Sequence, residues 1–80
     1  MSDERIRVEE RLSKIKQGEL ILVHQKNTPF IVVGYVDNIS DNYLFLNMTS
    51  ILSSGYYEIR KEEIKKITRI NIEKQTFEEI

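Results

Sequence analysis

Residues 30–46, FIVVGYVDNISDNYLFL, decide the fold. Two apolar runs flank the polar hexad of residues 37–42, and Gly34 is set inside the first run. Phe30, Val32, Gly34 and Val36 alternate with Ile31, Val33 and Tyr35, the period of two that sends successive side chains to opposite faces of a strand. The second run repeats the pattern, with Leu44, Leu46 and Met48 set against Tyr43, Phe45 and Asn47. The stretch therefore predicts a β-hairpin. Asp37, Asn38, Ser40, Asp41 and Asn42 are turn formers, yet Ile39 among them implies that the first strand runs on and buries this side chain. A glycine inside a strand marks a bulge, a bend or a close backbone approach. A bend is expected at Gly34, because a small barrel needs corners to close.

Upstream, Leu20-Ile21-Leu22-Val23 gives a strand over about residues 19–26. Four consecutive apolar residues predict cover on both faces, from the sheet's own core and from a helix or partner. Asp3 and Glu4 at one end, and Lys14 and Lys16 before Gly18 at the other, bracket a helix over about residues 3–16. Val8, Leu12 and Ile15 form its apolar stripe. That helix caps one end of the sheet, or presents a basic docking face built from Arg5, Arg7 and Arg11.

Downstream, residues 49–55 read as a loop in which Ile51 and Leu52 pack on the core or await a partner. Residues 56–60 form a fourth strand. Ile64, Ile67 and Ile70 are spaced by three, which also suits a helix, but the β-branched density of the segment favours a tight turn at residues 61–63 and a strand over 65–72. Residues 73–80 are expected to be a short acidic tail, frayed or packed on a neighbour. The expected fold is thus a single domain over residues 1–80, mainly β: a small, strongly bent, five-stranded barrel with an N-terminal α-helix.

With 40% hydrophobic and 31% charged residues, the chain has the balance of a folded globular domain. Ordering so short a chain consumes most of what one small core supplies, which favours a homo-oligomer. No apolar run approaches the roughly 18 residues of a membrane span. The charged start MSDERIRVEER and the absence of cysteine suit a cytoplasmic protein with no membrane partner.

Catalytic chemistry has no constellation to rest on. His24 is the only histidine, too few for a multi-histidine metal site and without an evident nucleophile to activate. Asp37 and Asp41 are accounted for by turn formation, and the paired glutamates by solvated faces. The three glycines are too scattered for a phosphate loop. The sequence predicts no enzyme, no metal and no cofactor.

Two stretches resemble the Sm-like fold of Sm, Lsm and Hfq proteins, itself SH3-like. Gly34-Tyr35-Val36 with Ile39, Leu44 and Leu46 is similar to the apolar frame of the first Sm motif. Residues 59–67, IRKEEIKKI, resemble the second. The resemblance implies RNA binding near the loops, by Tyr35, Tyr43, Arg60 and Lys61, since tyrosines stack bases and cations attract phosphates. It also implies rings closed by the fourth strand of one subunit pairing with the fifth of the next, with an oligomer edge of Tyr56, Tyr57, Ile59, Ile67 and Ile70. The chain departs from the family at three positions. Ser40 stands where an aspartate is usual, Leu44 where a base-contacting asparagine is found, and Lys61 where glycine is expected. A net charge of −1 gives no bulk attraction to nucleic acid. Two functions stay open: a single-stranded RNA binder acting as an oligomer, or a protein-interaction module using a sheet edge or the helix.

Overall fold

The computed structural model describes residues 3–49 and 54–80, with side chains from residue 6 onward, except those of Thr49 and Ser54. Ile51, Leu52 and the Arg5 side chain lie outside the described residues.

Helix α1 spans Asp3–Leu12, shorter than the expected 3–16. Its hydrogen bonding tightens after Leu12: Ser13 N still donates to Glu9 O, but Lys14 N and Ile15 N reach back only three residues, to Arg11 O and Leu12 O. Ser13 Oγ donates to Glu10 O at 2.6 Å, the local competition that disfavours serine in a helix interior. Val8, Leu12 and Ile15 are nevertheless all buried in one core, so the stripe outlasts the helix. Gly18 then takes φ +90, a left-handed conformation that glycine adopts without strain. Its N–H donates to Val36 O at 2.8 Å, which feeds the chain into the sheet.

Among the described residues six strands follow: β1 Leu20–Gln25, β2 Ile31–Ile39, β3 Tyr43–Thr49, β4 Ser54–Arg60, β5 Ile64–Asn71 and β6 Thr76–Glu79, with a 3-10 turn at Lys61–Glu63 between β4 and β5. All neighbours are antiparallel, in the order β4-β3-β2-β1-β5-β6. The sheet is therefore open and six-stranded, where the sequence suggested a closed barrel of five. Residues 73–80 supply the difference: they fold back as β6 along Thr68–Asn71 of β5, occupying the edge that closure would use. β6 returns through a turn in which Lys74 N donates to Asn71 Oδ1 at 3.0 Å and Gln75 takes φ 54.

Two register irregularities explain the apolar spacing. In β2 the register shifts between Val36 and Asn38, so Asp37 is the extra residue of a bulge and Ile39, not Asn38, turns toward the core opposite Leu44. Where β1 meets β5, His24 pairs with Lys66 but Gln25 pairs with Ile64. Lys65 is passed over, and Ile64 and Ile67, three apart, both point inward. The strand reading of that segment is the observed one. The core joins Ile21, Val23, Val32, Val36, Leu44, Leu46, Ile59, Ile64 and Ile67 to the helix stripe.

The helix covers this inner face only. On the outer face Ile31, Val33 and Tyr35 are 49, 44 and 40% exposed, beside half-buried Leu20 and Leu22. The double cover expected for β1 is thus supplied on one side. Among the described residues no helix is long and apolar enough to cross a membrane.

The acidic end of the chain and the basic β5 are spatial neighbours. Lys66 Nζ lies 2.9 Å from Glu79 Oε1, and Arg69 Nη1 donates to Glu78 Oε1 at 2.8 Å. The hydrogen bond from Lys66 holds the Glu79 carboxyl below its ordinary 4.5. A lowered carboxylate pKa stabilises the fold fully above 4.5, and that contribution is lost as pH falls through the lower folded value. We expect β6 to loosen first on acidification, seen as amide protection falling at Glu79 and Ile80 before β1 and β3. Uniform loss along the chain would show that the pair does not hold β6.

Candidate binding cleft

The β2–β3 turn and the 3-10 turn meet at one end of the sheet. Ser40 N donates to Tyr43 O at 2.9 Å and Ser40 Oγ accepts from Tyr43 N at 3.1 Å, so Ser40 closes the hairpin. Lys61 N then donates to Asn42 O at 3.0 Å, tying the two turns together. Tyr43 and Arg60 are register partners across β3 and β4. With Asn42 and Glu62 they line a cleft of about 180 Å³.

Its chemistry is an aromatic ring, a guanidinium, an amide and one carboxylate. Arg60 Nη1 stands 3.7 Å from Glu62 Oε1, with both side chains mostly exposed, a loose pair of little energetic weight that leaves the guanidinium available. Tyr43 begins an aromatic row on the outer face: its ring centroid is 6.0 Å from that of Phe45, and Phe45 is 5.7 Å from Tyr56. The bulged Asp37 anchors the far end, accepting from Tyr56 Oη at 2.6 Å and from Asn47 Nδ2 at 3.2 Å. That hydrogen bond to a carboxylate raises the Tyr56 phenol above its ordinary 10.0.

Of the four residues expected to contact nucleic acid, the structure brings Tyr43 and Arg60 together. Tyr35 lies on the same outer face but outside the cleft, opposite Leu20 and Asn47. Lys61 is turned inward: its side chain is 4% exposed and its Nζ lies 2.9 Å from Glu9 Oε1 of α1. Leu44 is fully buried and reaches no ligand.

The expected oligomer edge is divided in the same way. Tyr56, Tyr57 and Ile59 do belong to an edge strand, β4, although Ile59 is core and Tyr57 packs on it. On β5, Ile67 is core and Ile70 pairs with Phe77 of β6, so the second edge of the sheet is β6. His24 lies between Ile31 and Lys66. Among the described residues no group of acidic, histidine or cysteine side chains is placed to hold a metal.

Arg69 is a residue that sequence reasoning missed. Its guanidinium joins three segments, donating to Lys14 O and Glu78 and lying 2.8 Å from Glu19 Oε2. Asn42 and Glu62 were also missed as cleft residues, because only cross-strand register sets Asn42 and Tyr43 against Arg60 and Glu62.

No family model, curated protein or solved structure matches the chain.

Proposed function

We propose that the chain is a non-catalytic, Sm-like or SH3-like binding module that takes single-stranded RNA at the Tyr43–Arg60 cleft and works as a homo-oligomer in the cytoplasm. The observation that carries this reading is the cleft itself, where a stacking ring and a cation share one wall at the loop end of the sheet. The N-terminal helix, the bulged second strand and the tight turn before the fifth support the fold class. In this reading a base stacks on Tyr43, Asn42 offers its amide to the base edge, and Arg60 faces a phosphate. Anisotropy titrations with a short single-stranded RNA at low salt are the test. Tyr43→Ala should cost about 1–3 kcal/mol of binding, and Arg60→Ala should weaken binding and flatten its salt dependence by about 0.7 in log–log slope. No binding at low salt, or binding indifferent to both substitutions, removes the reading.

A second reading, a protein-interaction module, is favoured by the outer face. Leu20, Leu22, Ile31, Val33, Tyr35, Ile70 and Phe77 form one apolar surface across β2, β1, β5 and β6, with Phe77 71% exposed. It leaves on the order of 500 Å² open, large for a monomer's surface patch and approaching the roughly 800 Å² per partner of a standard interface. In this reading the partner is a second copy, its sheet packed face to face on the first. Sedimentation should show a dimer that Val33→Glu returns to monomer; a wild-type monomer at high concentration counts against it.

A further inference from the structure

A second cleft opens on the other side of the 3-10 turn, where α1 crosses the junction of β1 and β5. It is lined by Arg7, Val8, Arg11, Lys26, Ile64 and Lys65 and holds about 120 Å³. Four of its six lining residues are cations, in a chain whose net charge is −1. Val8 and Ile64 are buried and make an apolar floor. Arg7, Lys26 and Lys65 are exposed, while Arg11 is half-buried.

The cluster is built by the fold and is not simply a basic stretch of sequence. Arg7 and Arg11 are i and i+4 on α1 and so share one helix face. Arg11 is oriented by donation from Nη1 to Lys65 O at 3.1 Å, which brings the helix to the strand. Lys26 follows β1 and is tied there by its N–H, donating to Glu63 O at 2.8 Å. The bulge that lets Ile64 and Ile67 both face inward leaves Lys65 as the extra, outward residue beside Arg11. Of the nearby carboxylates, Glu9 pairs with Lys61 and Glu79 with Lys66, although Glu79 also stands close enough to Arg11 to feel its charge.

We propose that this cleft binds a phosphate group. Two guanidiniums offer planar paired donors matched to phosphate oxygens, and two ammoniums add point charge. A space of this size admits one tetrahedral anion. The phosphate has two sources of the same chemistry, the backbone of a single-stranded RNA or a free oligophosphate, and the inference does not depend on the Tyr43–Arg60 cleft.

The experiment is calorimetric titration of the full chain with inorganic tripolyphosphate, alongside anisotropy titration with a short single-stranded RNA. Both are run on wild type, Arg7→Glu/Lys65→Glu and Arg60→Ala, with circular dichroism to confirm folding. Charge reversal at two exposed positions should weaken tripolyphosphate binding at least about tenfold, a larger loss than Arg60→Ala produces. Loss seen with tripolyphosphate identifies a soluble oligophosphate source. Loss seen with RNA alone identifies the backbone. The inference is overturned if neither probe binds, or if the Arg7→Glu/Lys65→Glu protein binds both as wild type does. An RNA affinity lost in Arg60→Ala, with both RNA and tripolyphosphate binding kept in Arg7→Glu/Lys65→Glu, would retain the first cleft and discard the second.

Discussion

Gly34→Ala should destabilise the protein by about 2–3 kcal/mol, and Gly34→Val should prevent stable folding, an overpacking effect at the upper end of the usual range. A Cβ at this position would lie 2.9 Å from Asn47 O and 3.2 Å from both Leu46 Cβ and Met48 Cγ. The first of these is a backbone carbonyl of the paired strand, so relief requires β2 and β3 to separate and not one side chain to turn. Such a loss is a large part of the roughly 4–12 kcal/mol available to a domain of this length. It should lower the melting temperature by about 10–20 °C. The other glycines provide controls. At Gly55 a Cβ would meet nothing nearer than 3.7 Å, and Gly55→Ala should be close to neutral. At Gly18 nothing lies within 4 Å but φ is +90, so alanine there costs backbone strain of about 1–2 kcal/mol. Asparagine at Gly18 should restore part of that. Equal losses at positions 34 and 55 would show that close approach is not what position 34 requires.

The hairpin was legible because period-two alternation survives any register: Val32, Val36, Leu44 and Leu46 are all core. What alternation cannot show is where it is reset. Gly34 makes a close approach to β3 and a bulge follows three residues later, which only Ile39 in the polar hexad signalled. The threefold spacing of Ile64, Ile67 and Ile70 was ambiguous because a bulge at Lys65 mimics a helical step. β6 went unseen because its turn carries no glycine or proline. Asn71 supplies the Asx geometry and Gln75 takes the left-handed residue at some cost. Missing β6 also hid the fate of part of the charge, since Lys66 and Arg69 pair with Glu79 and Glu78 across β5 and β6. Of the cleft, residue type indicated Tyr43 and Arg60. Nothing local distinguished Arg60, which is exposed, from Lys61, which the 3-10 turn rotates into the interior.

That rotation gives Lys61 a different role from its neighbour, and its removal and the removal of its partner should have opposite outcomes. Glu9→Gln should cost about 2 kcal/mol, because it strands an ammonium that is 4% exposed without its counter-charge. A fully buried pair would lose about 3–5 kcal/mol; the Glu9 side chain is 47% exposed, and solvent takes up part of the loss. Lys61→Met, in contrast, should leave stability unchanged or raise it. The methionine fills the space of the lysine stem, and the Glu9 side chain, 47% exposed, keeps its carboxylate hydrated. In the Lys61→Met background, Glu9→Gln should then cost clearly less in urea unfolding than it does in wild type, the non-additivity that marks a direct pair. Because the pair fastens α1 to the turn that follows Arg60, the Glu9→Gln protein should also lose amide protection at the 3-10 turn before it loses it in β1. If Lys61→Met unfolds the chain while Glu9→Gln does not, the ammonium is held by something other than Glu9. If Lys61→Met folds but abolishes RNA binding, Lys61 leaves its buried position to meet the strand, and the cleft is wider than Tyr43 and Arg60.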